Sequence, residues 1–216
     1  MSSVSLSTAA SNQAASNHAA SHEAARHRSR GATPPAWIPA RAQRFRLSAA
    51  WWRWLASTDS LTARLVAASP ASFSVRLLRQ GIARPYRDEA QALGMPTDRV
   101  AWVREVALMS GERAWVSARS VAPLTHIGRR RLRTLGERSL GSWLFAQPDL
   151  ERGPIELARL GPAAAGDWIR RSRFRHGAIE LLVQECFRFE MAEDLGLDRQ
   201  LGITRRAALE AEAQLR

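Results

Sequence analysis

The stretch "RVAWVREVALMSGERAWVSARSVAP", residues 99–123, has the pattern of two β-strands joined by a tight turn. Both halves are rich in Val, Ala and Trp, and "SGER" supplies the glycine that hairpin turns favour. Strand side chains alternate between the faces of a sheet, so four residues of the first strand share one face: Trp102, Arg104, Val106 and Leu108. Arg104 is a charge among apolar neighbours, and its burial is costly unless an anion pairs with it.

A second stretch repeats this feature near the other end of the chain. In "AIELLVQECFRF", residues 178–189, alternation predicts one face made of Ile179, Leu181, Val183, Glu185, Phe187 and Phe189. Glu185 is the only charge on that face. Arg104 and Glu185 could form a buried ion pair, which would contribute little net stability. Alternatively, both could line an apolar pocket, where the arginine binds a carboxylate and the glutamate handles a proton.

The segments before the hairpin predict two helices and then a strand. Ser48 is placed to cap a first helix, and Asp59 or Ser60 a second one. Apolar residues alternate from Phe73, which predicts a strand. The Pro- and Gly-punctuated residues 81–99 are interpreted as strand continuation and loop.

The segments after the hairpin predict one helical insertion and further strands. The basic cluster "GRRRLRTLGERS", residues 128–139, is predicted to be a short exposed helix, followed by another helix from Leu140. Residues 152–161 and 166–190 have strand patterns, the latter with a turn near His176 and Gly177. This order predicts an α+β fold: a single antiparallel β-sheet, without the strand–helix alternation of a doubly wound fold.

The pattern divides the chain into three parts. Residues 1–44 form a low-complexity N-terminal tail of Ala, Ser and Asn repeats, with too few large apolar residues to offset the entropy of ordering. Residues 45–190 carry the apolar pattern of the folded domain. Residues 191–216 form a charged C-terminal tail whose pattern allows a helix from about Ile203.

Composition restricts partners and location. The net charge of +12 comes from 32 basic residues, all of them Arg, and attracts anions. Cys186 is the only cysteine, which precludes an internal disulfide and favours a reducing compartment. No apolar run is long enough to predict a membrane-spanning helix, and the N-terminus lacks the apolar region of a secretory signal. We therefore expect a cytoplasmic protein without membrane insertion.

Other candidate site residues carry weaker signals. Arg119 could be a second anion contact, although an ordinary hairpin arginine fits the pattern equally well. Cys186 has no His or Asp nearby in sequence, which favours a buried inert thiol over a nucleophile. His126 and His176 are isolated, so their spacing gives no metal site.

Seven motifs, in this order and spacing, resemble those of the chorismate lyase (chorismate–pyruvate lyase) family. They are "WLASTDSLTARL", "FSVRLLRQG", "WVREVAL", "GERAWVSARSVAP", "LGERSLGSWLF", "RRSRFR" and "LLVQECF", within roughly residues 45–190. The resemblance implies an antiparallel sheet with helices on one side and helical lids over a buried pocket. It also implies elimination of pyruvate from chorismate to give 4-hydroxybenzoate, the first step of ubiquinone synthesis, without metal or cofactor.

The resemblance also implies the residues of the site. The substrate-binding arginine of the family falls on Arg104, and the acidic residue that meets the product hydroxyl falls on Glu185. Two main-chain contacts fall on Leu61 and Leu140. Many members of the family have Met at the position of Leu61, which should matter little for a contact made through the main-chain N–H. Chorismate is the expected small-molecule partner, and the protein is expected to be a monomer.

Two other functions are compatible with parts of the sequence. One is a non-catalytic domain that senses an aromatic acid, because effector-binding modules of some bacterial repressors resemble this fold. The residues ahead of residue 45 are too few and too polar for the DNA-binding helices that such modules follow. The other is a nucleic-acid binder built on the Arg clusters. The sequence lacks the aromatic and basic residues interleaved on one strand face that such a binder uses, so we expect no nucleic-acid partner.

Overall fold

The computed structural model of the chain describes residues 35–124, 140–160 and 167–197. These residues form one eight-stranded antiparallel sheet with short helices. The strands are β1 Ile38–Pro39, β2 Phe73–Ala83, β3 Ala101–Ser110, β4 Arg113–Pro123, β5 Glu151–Arg152, β6 Glu156–Arg159, β7 Trp168–His176 and β8 Ile179–Phe187. The helices are α1 Ala49–Leu55, α2 Leu61–Ala68, α3 Arg87–Ala92, α4 Leu140–Phe145 and α5 Phe189–Asp194, and Ala40–Arg46 forms a 3₁₀ helix.

Two hairpins form the centre of the sheet, as the alternating patterns predict. The strand order is β1-β6-β7-β8-β4-β3-β2, with β5 paired to β7. Gly111 turns β3 into β4 at φ 56°, and Gly177 turns β7 into β8 at φ 55°. Both angles lie in the left-handed region, where a residue without a Cβ atom avoids a steric clash. The strands β8, β4 and β3 are therefore neighbours, and they bring Glu185 and Arg104 into one sheet.

The first two helices begin at the predicted capping residues. The Ser48 hydroxyl accepts a hydrogen bond from the Trp51 N–H at 3.3 Å, and the Ser60 hydroxyl accepts one from the Ala63 N–H at 3.4 Å. Ser60, and not the alternative Asp59, is therefore the cap of α2. Each cap satisfies a main-chain donor that has no partner within the helix. The apolar sides of these helices pack on the sheet face that carries Val106 and Leu108.

One helix lies where the sequence predicted strand continuation and loop. The Glu89 carboxylate accepts a hydrogen bond from the Tyr86 N–H at 2.8 Å, which closes a capping box at the start of α3. Gly94, just after the helix, has φ 61°. The strand does continue through Ala83, as predicted, but the loop interpretation is wrong for Arg87–Ala92, because Pro85 and Gly94 flank a short helix there. Helix α3 covers the sheet face opposite α1 and α2.

The fold class is confirmed: the protein is α+β with a single antiparallel sheet. Its central strand β3 is buried along almost its whole length, on both faces. On the first face, Val106 and Leu108 pack beneath α1 and α2. On the second face, Val103 packs with Val121 and with Leu93, the residue after α3.

Residues beyond both ends of the range 45–190 contribute to the packing. Strand β1 pairs with β6, and the Trp37 indole N–H donates to the Asp88 carboxylate at 2.9 Å. At the other end, Met191, Ala192 and Leu197 are buried in the main core. The described packing therefore extends from the residues just before β1 to those just after α5.

Several predicted elements lie outside the described residues. These are the repeat-rich part of the tail up to residue 34, the basic helix at 128–139 and the helix from Ile203. Among the helices of the described residues, none is long and apolar enough to cross a lipid bilayer.

Candidate active site

A cavity lies between the first sheet face and the helices α2 and α4. Its empty volume is about 540 Å³, including the part that opens to solvent. All four predicted site residues line this cavity: Leu61, Arg104, Leu140 and Glu185. The structure therefore brings together residues that are up to 124 positions apart in sequence.

Arg104 enters the cavity from the middle of β3 and is 2% exposed. Its Nη1 donates a hydrogen bond to the Gln80 side-chain oxygen at 2.8 Å. Burial lowers the pKa of Arg104 below its usual value. An arginine in these surroundings stays protonated at neutral pH and gains most from a bound carboxylate.

A β-bulge places Gln80 beside Arg104. The register of β2 against β3 shifts between Leu77 and Arg79, so Gln80 pairs with Arg104 although Leu77 pairs with Val106. In a regular strand, residues three positions apart such as Leu77 and Gln80 would face opposite sides of the sheet, and the bulge places them on the same side. Gln80 was not predictable as a site residue because a bulge carries no sequence signal within an alternating strand.

Glu185 pairs with Arg170 rather than with Arg104. The two residues face each other across β7 and β8, and the Arg170 Nε donates to the Glu185 carboxylate. Arg170 is 1% exposed, and its Nη1 also donates to the main-chain oxygens of Trp54 at 2.8 Å and Ser57 at 3.1 Å. One alternative from the sequence was an ion pair between Arg104 and Glu185. That alternative is wrong, because the cation that pairs with Glu185 is Arg170.

A second missed arginine stands beside this pair. The Arg152 Nε donates to the Ser172 hydroxyl at 3.1 Å, and its Nη1 donates to the Ser57 main-chain oxygen at 3.2 Å. Burial lowers the pKa of Arg152 to about 10; the charge of Arg170 adds to this lowering, and that of Glu185 opposes it. Alternation along "WIRRSRFR" could have placed Arg170 on the inner face. Arg152 lies on a two-residue strand, which gives no periodic signal.

Leu61 and Leu140 reach the cavity from the helices above the sheet. Each is the first residue of its helix, and both are buried. The N–H groups of a helix's first turn have no acceptor within the helix. Helices α2 and α4 also contact each other, so together they cover the cavity.

Arg119 lies on the opposite sheet face, away from the cavity. Its guanidinium donates to Glu89 at 2.7 and 3.0 Å and also to Glu105. Although burial alone lowers the pKa of Arg119, the hydrogen bonds and charge of Glu89 raise it overall. Glu89 is fully buried and also accepts from the Gln184 amide at 2.6 Å. Arg119 was predicted to be either a second anion contact or an ordinary hairpin arginine. Its contacts with Glu89 and Glu105 fit the second, structural role.

Cys186 is buried on the face opposite Glu185, with its Sγ 3.8 Å from the Asp167 carboxylate. The sequence analysis missed this acid, which is 19 residues away in the chain. Burial raises the pKa of Asp167. A buried site beside a carboxylate disfavours the thiolate form of Cys186, which agrees with the predicted inert thiol. Within the described part of the chain, no three His, Cys, Asp or Glu side chains are grouped as metal ligands would be.

Comparison with known proteins identifies the family to which this chain belongs. The family model described as chorismate lyase matches residues 35–191. The chain belongs to the chorismate lyase family. It is 58% identical over 172 residues to the probable chorismate pyruvate-lyase of Chromohalobacter salexigens, covering 76% of this chain and 93% of that protein.

Two further comparisons concern a more distant relative and a solved structure. The chain is 41% identical over 153 residues to the probable chorismate pyruvate-lyase of Pseudomonas aeruginosa, which covers 67% of this chain and 86% of that protein. The fold of this chain is also similar to that of the C-terminal domain of a histidine utilization repressor from Pseudomonas syringae. That similarity has a TM-score of 0.43 at 9% identity and covers 55% of this chain and 92% of that one.

Proposed function

We propose that this chorismate lyase family member eliminates pyruvate from chorismate and releases 4-hydroxybenzoate. The observation that carries this proposal is the cavity itself, which has Arg104 and Glu185 on one apolar sheet face. Chorismate is a cyclohexadiene ring with a carboxylate at C1 and a hydroxyl at C4, at opposite ends of the ring. A cavity with a cation at one end and a carboxylate at the other suits that shape.

Arg104 binds the ring carboxylate in this proposal. Register places Arg104 opposite Ser120 and Val183, whereas Val106, Ala118 and Glu185 form the row two residues away. Two strand spacings and two residue rises separate the Cα atoms of Arg104 and Glu185 by about 12 Å. The two charged side chains therefore enter the cavity at separate points of its floor. A guanidinium can bind the carboxylate through two parallel hydrogen bonds.

Glu185 meets the C4 hydroxyl and handles the proton at that end. The C3–O bond breaks, the C4–H electron pair completes the aromatic ring, and the leaving oxygen departs as the enolate of pyruvate. The C4 proton is transferred in the process, and pyruvate forms when a proton reaches its methylene carbon. The Glu185 carboxylate either relays this proton or orients its transfer, and Arg170 fixes the position of that carboxylate.

The walls of the cavity supply orientation and exclude water. Val106, Leu108 and Val183 form the apolar floor, and Leu144 and Phe145 of α4 cover it. The main-chain N–H groups of Leu61 and Leu140 are the expected additional donors to the substrate. An apolar enclosure strengthens the hydrogen bonds that Arg104 and Glu185 make to the ring.

The proposal also covers the pathway and the cellular compartment of the reaction. The product is the precursor of ubiquinone, and the chain's single buried cysteine suits the reducing cytoplasm. For the oligomeric state, the prediction stays a monomer.

The test is an absorbance assay of the purified full-length chain with chorismate and a metal chelator. We expect 4-hydroxybenzoate and pyruvate to appear in equal amounts. A domain that only senses an aromatic acid would bind 4-hydroxybenzoate without consuming chorismate, and a nucleic-acid binder would do neither. Either of those two results would refute the proposed activity.

A further inference from the structure

A second cation, Arg152, lies beside the Glu185–Arg170 pair, and its contacts with the described residues are all with neutral groups. Arg152 donates to the Ser172 hydroxyl and to the Ser57 main-chain oxygen. Its guanidinium also lies 5.1 Å from the centre of the Phe174 ring. Among the residues that the structure describes, no carboxylate lies within ion-pair distance of Arg152. The contacts use its Nε and Nη1 and leave the Nη2 amino group for another acceptor.

The local charge balance at this end is positive. Arg152 and Arg170 both donate to the Ser57 oxygen, at 3.2 and 3.1 Å, so two guanidinium groups share one neutral acceptor. Glu185 pairs with Arg170 and compensates one of these charges. Asp59 is exposed and lies outside ion-pair distance of Arg152. Within the described part of the chain, one positive charge therefore remains uncompensated beside the Glu185–Arg170 pair, and a half-buried cation without an anion is unfavourable.

Arg152 adjoins the cavity through Phe174. The Phe174 ring lines the cavity on one side, and the Arg152 guanidinium packs over the same ring. Glu185 also lines the cavity, and its partner Arg170 shares the Ser57 main-chain oxygen with Arg152. An anionic group bound beside Glu185 would therefore lie next to this guanidinium.

The substrate of the proposed reaction has a second carboxylate at this position. Chorismate carries its enolpyruvyl group on C3, the ring carbon next to the C4 hydroxyl. With the ring carboxylate at Arg104 and the hydroxyl at Glu185, the enolpyruvyl carboxylate lies at the Glu185 end. A second anion close to the Glu185 carboxylate would be repelled unless a further cation compensates its charge.

We propose that Arg152 binds the enolpyruvyl carboxylate of chorismate and so selects the dianionic substrate over the monoanionic product. This inference rests on the proposed lyase function. The product lacks the enolpyruvyl group, so 4-hydroxybenzoate makes no contact with Arg152. The same interaction disappears when pyruvate departs.

The test compares substrate and product binding in Arg152→Gln, Arg152→Ala and Arg152→Lys. Gln keeps a donor for the neutral contacts and removes the charge, whereas Lys keeps the charge. A charge-assisted hydrogen bond is worth about tenfold to a hundredfold in affinity. We expect the KM for chorismate to rise by about that factor in Arg152→Gln and Arg152→Ala, and Arg152→Lys to recover part of the loss. The Kd for 4-hydroxybenzoate, measured by calorimetry, should stay within about twofold of wild type.

Two control variants separate this role from a structural one. Arg175→Ala removes an exposed arginine of the neighbouring strand that pairs with Glu151 at 2.7 Å, and it should leave both constants unchanged. Arg104→Ala should weaken substrate and product together. Equal weakening of both ligands in the Arg152 variants, or an unchanged KM for chorismate, would overturn the proposal. If the wild-type protein forms no 4-hydroxybenzoate, the lyase function itself fails.

Discussion

Replacing Glu185 with Gln tests the proton-handling role of the carboxylate while preserving its shape. The side-chain amide oxygen of the Glu185→Gln variant can still accept from Arg170, and Arg170 keeps its hydrogen bonds to the Trp54 and Ser57 oxygens. A fully unpaired buried cation costs about 3–5 kcal/mol. Because these acceptors remain in place when Glu185 is replaced, we expect a loss of about 1–3 kcal/mol in unfolding free energy. The variant should therefore fold and be suitable for kinetics.

The chemical step should be affected far more than the stability. If the Glu185 carboxylate moves the proton in the rate-limiting step, kcat should fall about 10²- to 10⁴-fold, the usual contribution of general acid–base catalysis. Substrate affinity should change little or improve, because a carboxylate near a dianion is removed. Single-turnover kinetics are the appropriate assay, since slow release of product from a covered cavity can mask the chemical step.

A matched variant on the same strand controls for loss of charge. Glu180→Gln removes a carboxylate on the opposite face of β8, where it pairs with Arg173 near the surface. We expect less than about 1 kcal/mol of destabilisation and an unchanged chemical step. A chemical step for Glu185→Gln within tenfold of wild type would refute proton transfer by Glu185. The catalytic effect would then come from the binding of the ring in the cavity.

Three further predictions concern binding, stability and chain length. Arg104→Ala should raise the KM for chorismate by about tenfold or more, because one charge-assisted contact is lost; a large fall in Tm with KM intact would contradict this. Glu89→Ala should cost about 3–5 kcal/mol in urea unfolding, since Arg119 and Gln184 lose a buried acceptor; a loss below about 1 kcal/mol would show that the opposite face is not held by this carboxylate. A chain limited to residues 35–197 should keep kcat and KM. A chain limited to residues 45–190 should unfold at a lower temperature than the 35–197 chain, because buried groups at both ends are missing. Equal Tm values for these two chains would contradict this.

The fold and the two charged positions of the cavity were predictable because they depend on local periodicity. Arg104 and Glu185 each interrupt an apolar face within one strand, and this interruption is visible without knowledge of strand pairing. Ser48 and Ser60 likewise carry cap signals that depend only on their nearest neighbours in sequence. Helix α3 was missed because the Pro and Gly residues that flank it are equally typical of loops.

The partners of these charges could not be predicted because they depend on register. Arg170 meets Glu185 only when β7 and β8 pair with one alignment, and Gln80 meets Arg104 only after a bulge in β2. Arg152 packs over Phe174, which lines the cavity, from β5, whose two residues carry no periodicity. These contacts arise from tertiary structure, so the composition of a single strand cannot indicate them.

A crystal structure of the full-length protein with 4-hydroxybenzoate tests the central claim most directly. We expect the product inside the cavity beneath α2 and α4, with its carboxylate bound to the Arg104 guanidinium and its hydroxyl at the Glu185 carboxylate. A product bound in the reverse orientation, or outside this cavity, would contradict the roles proposed for both residues.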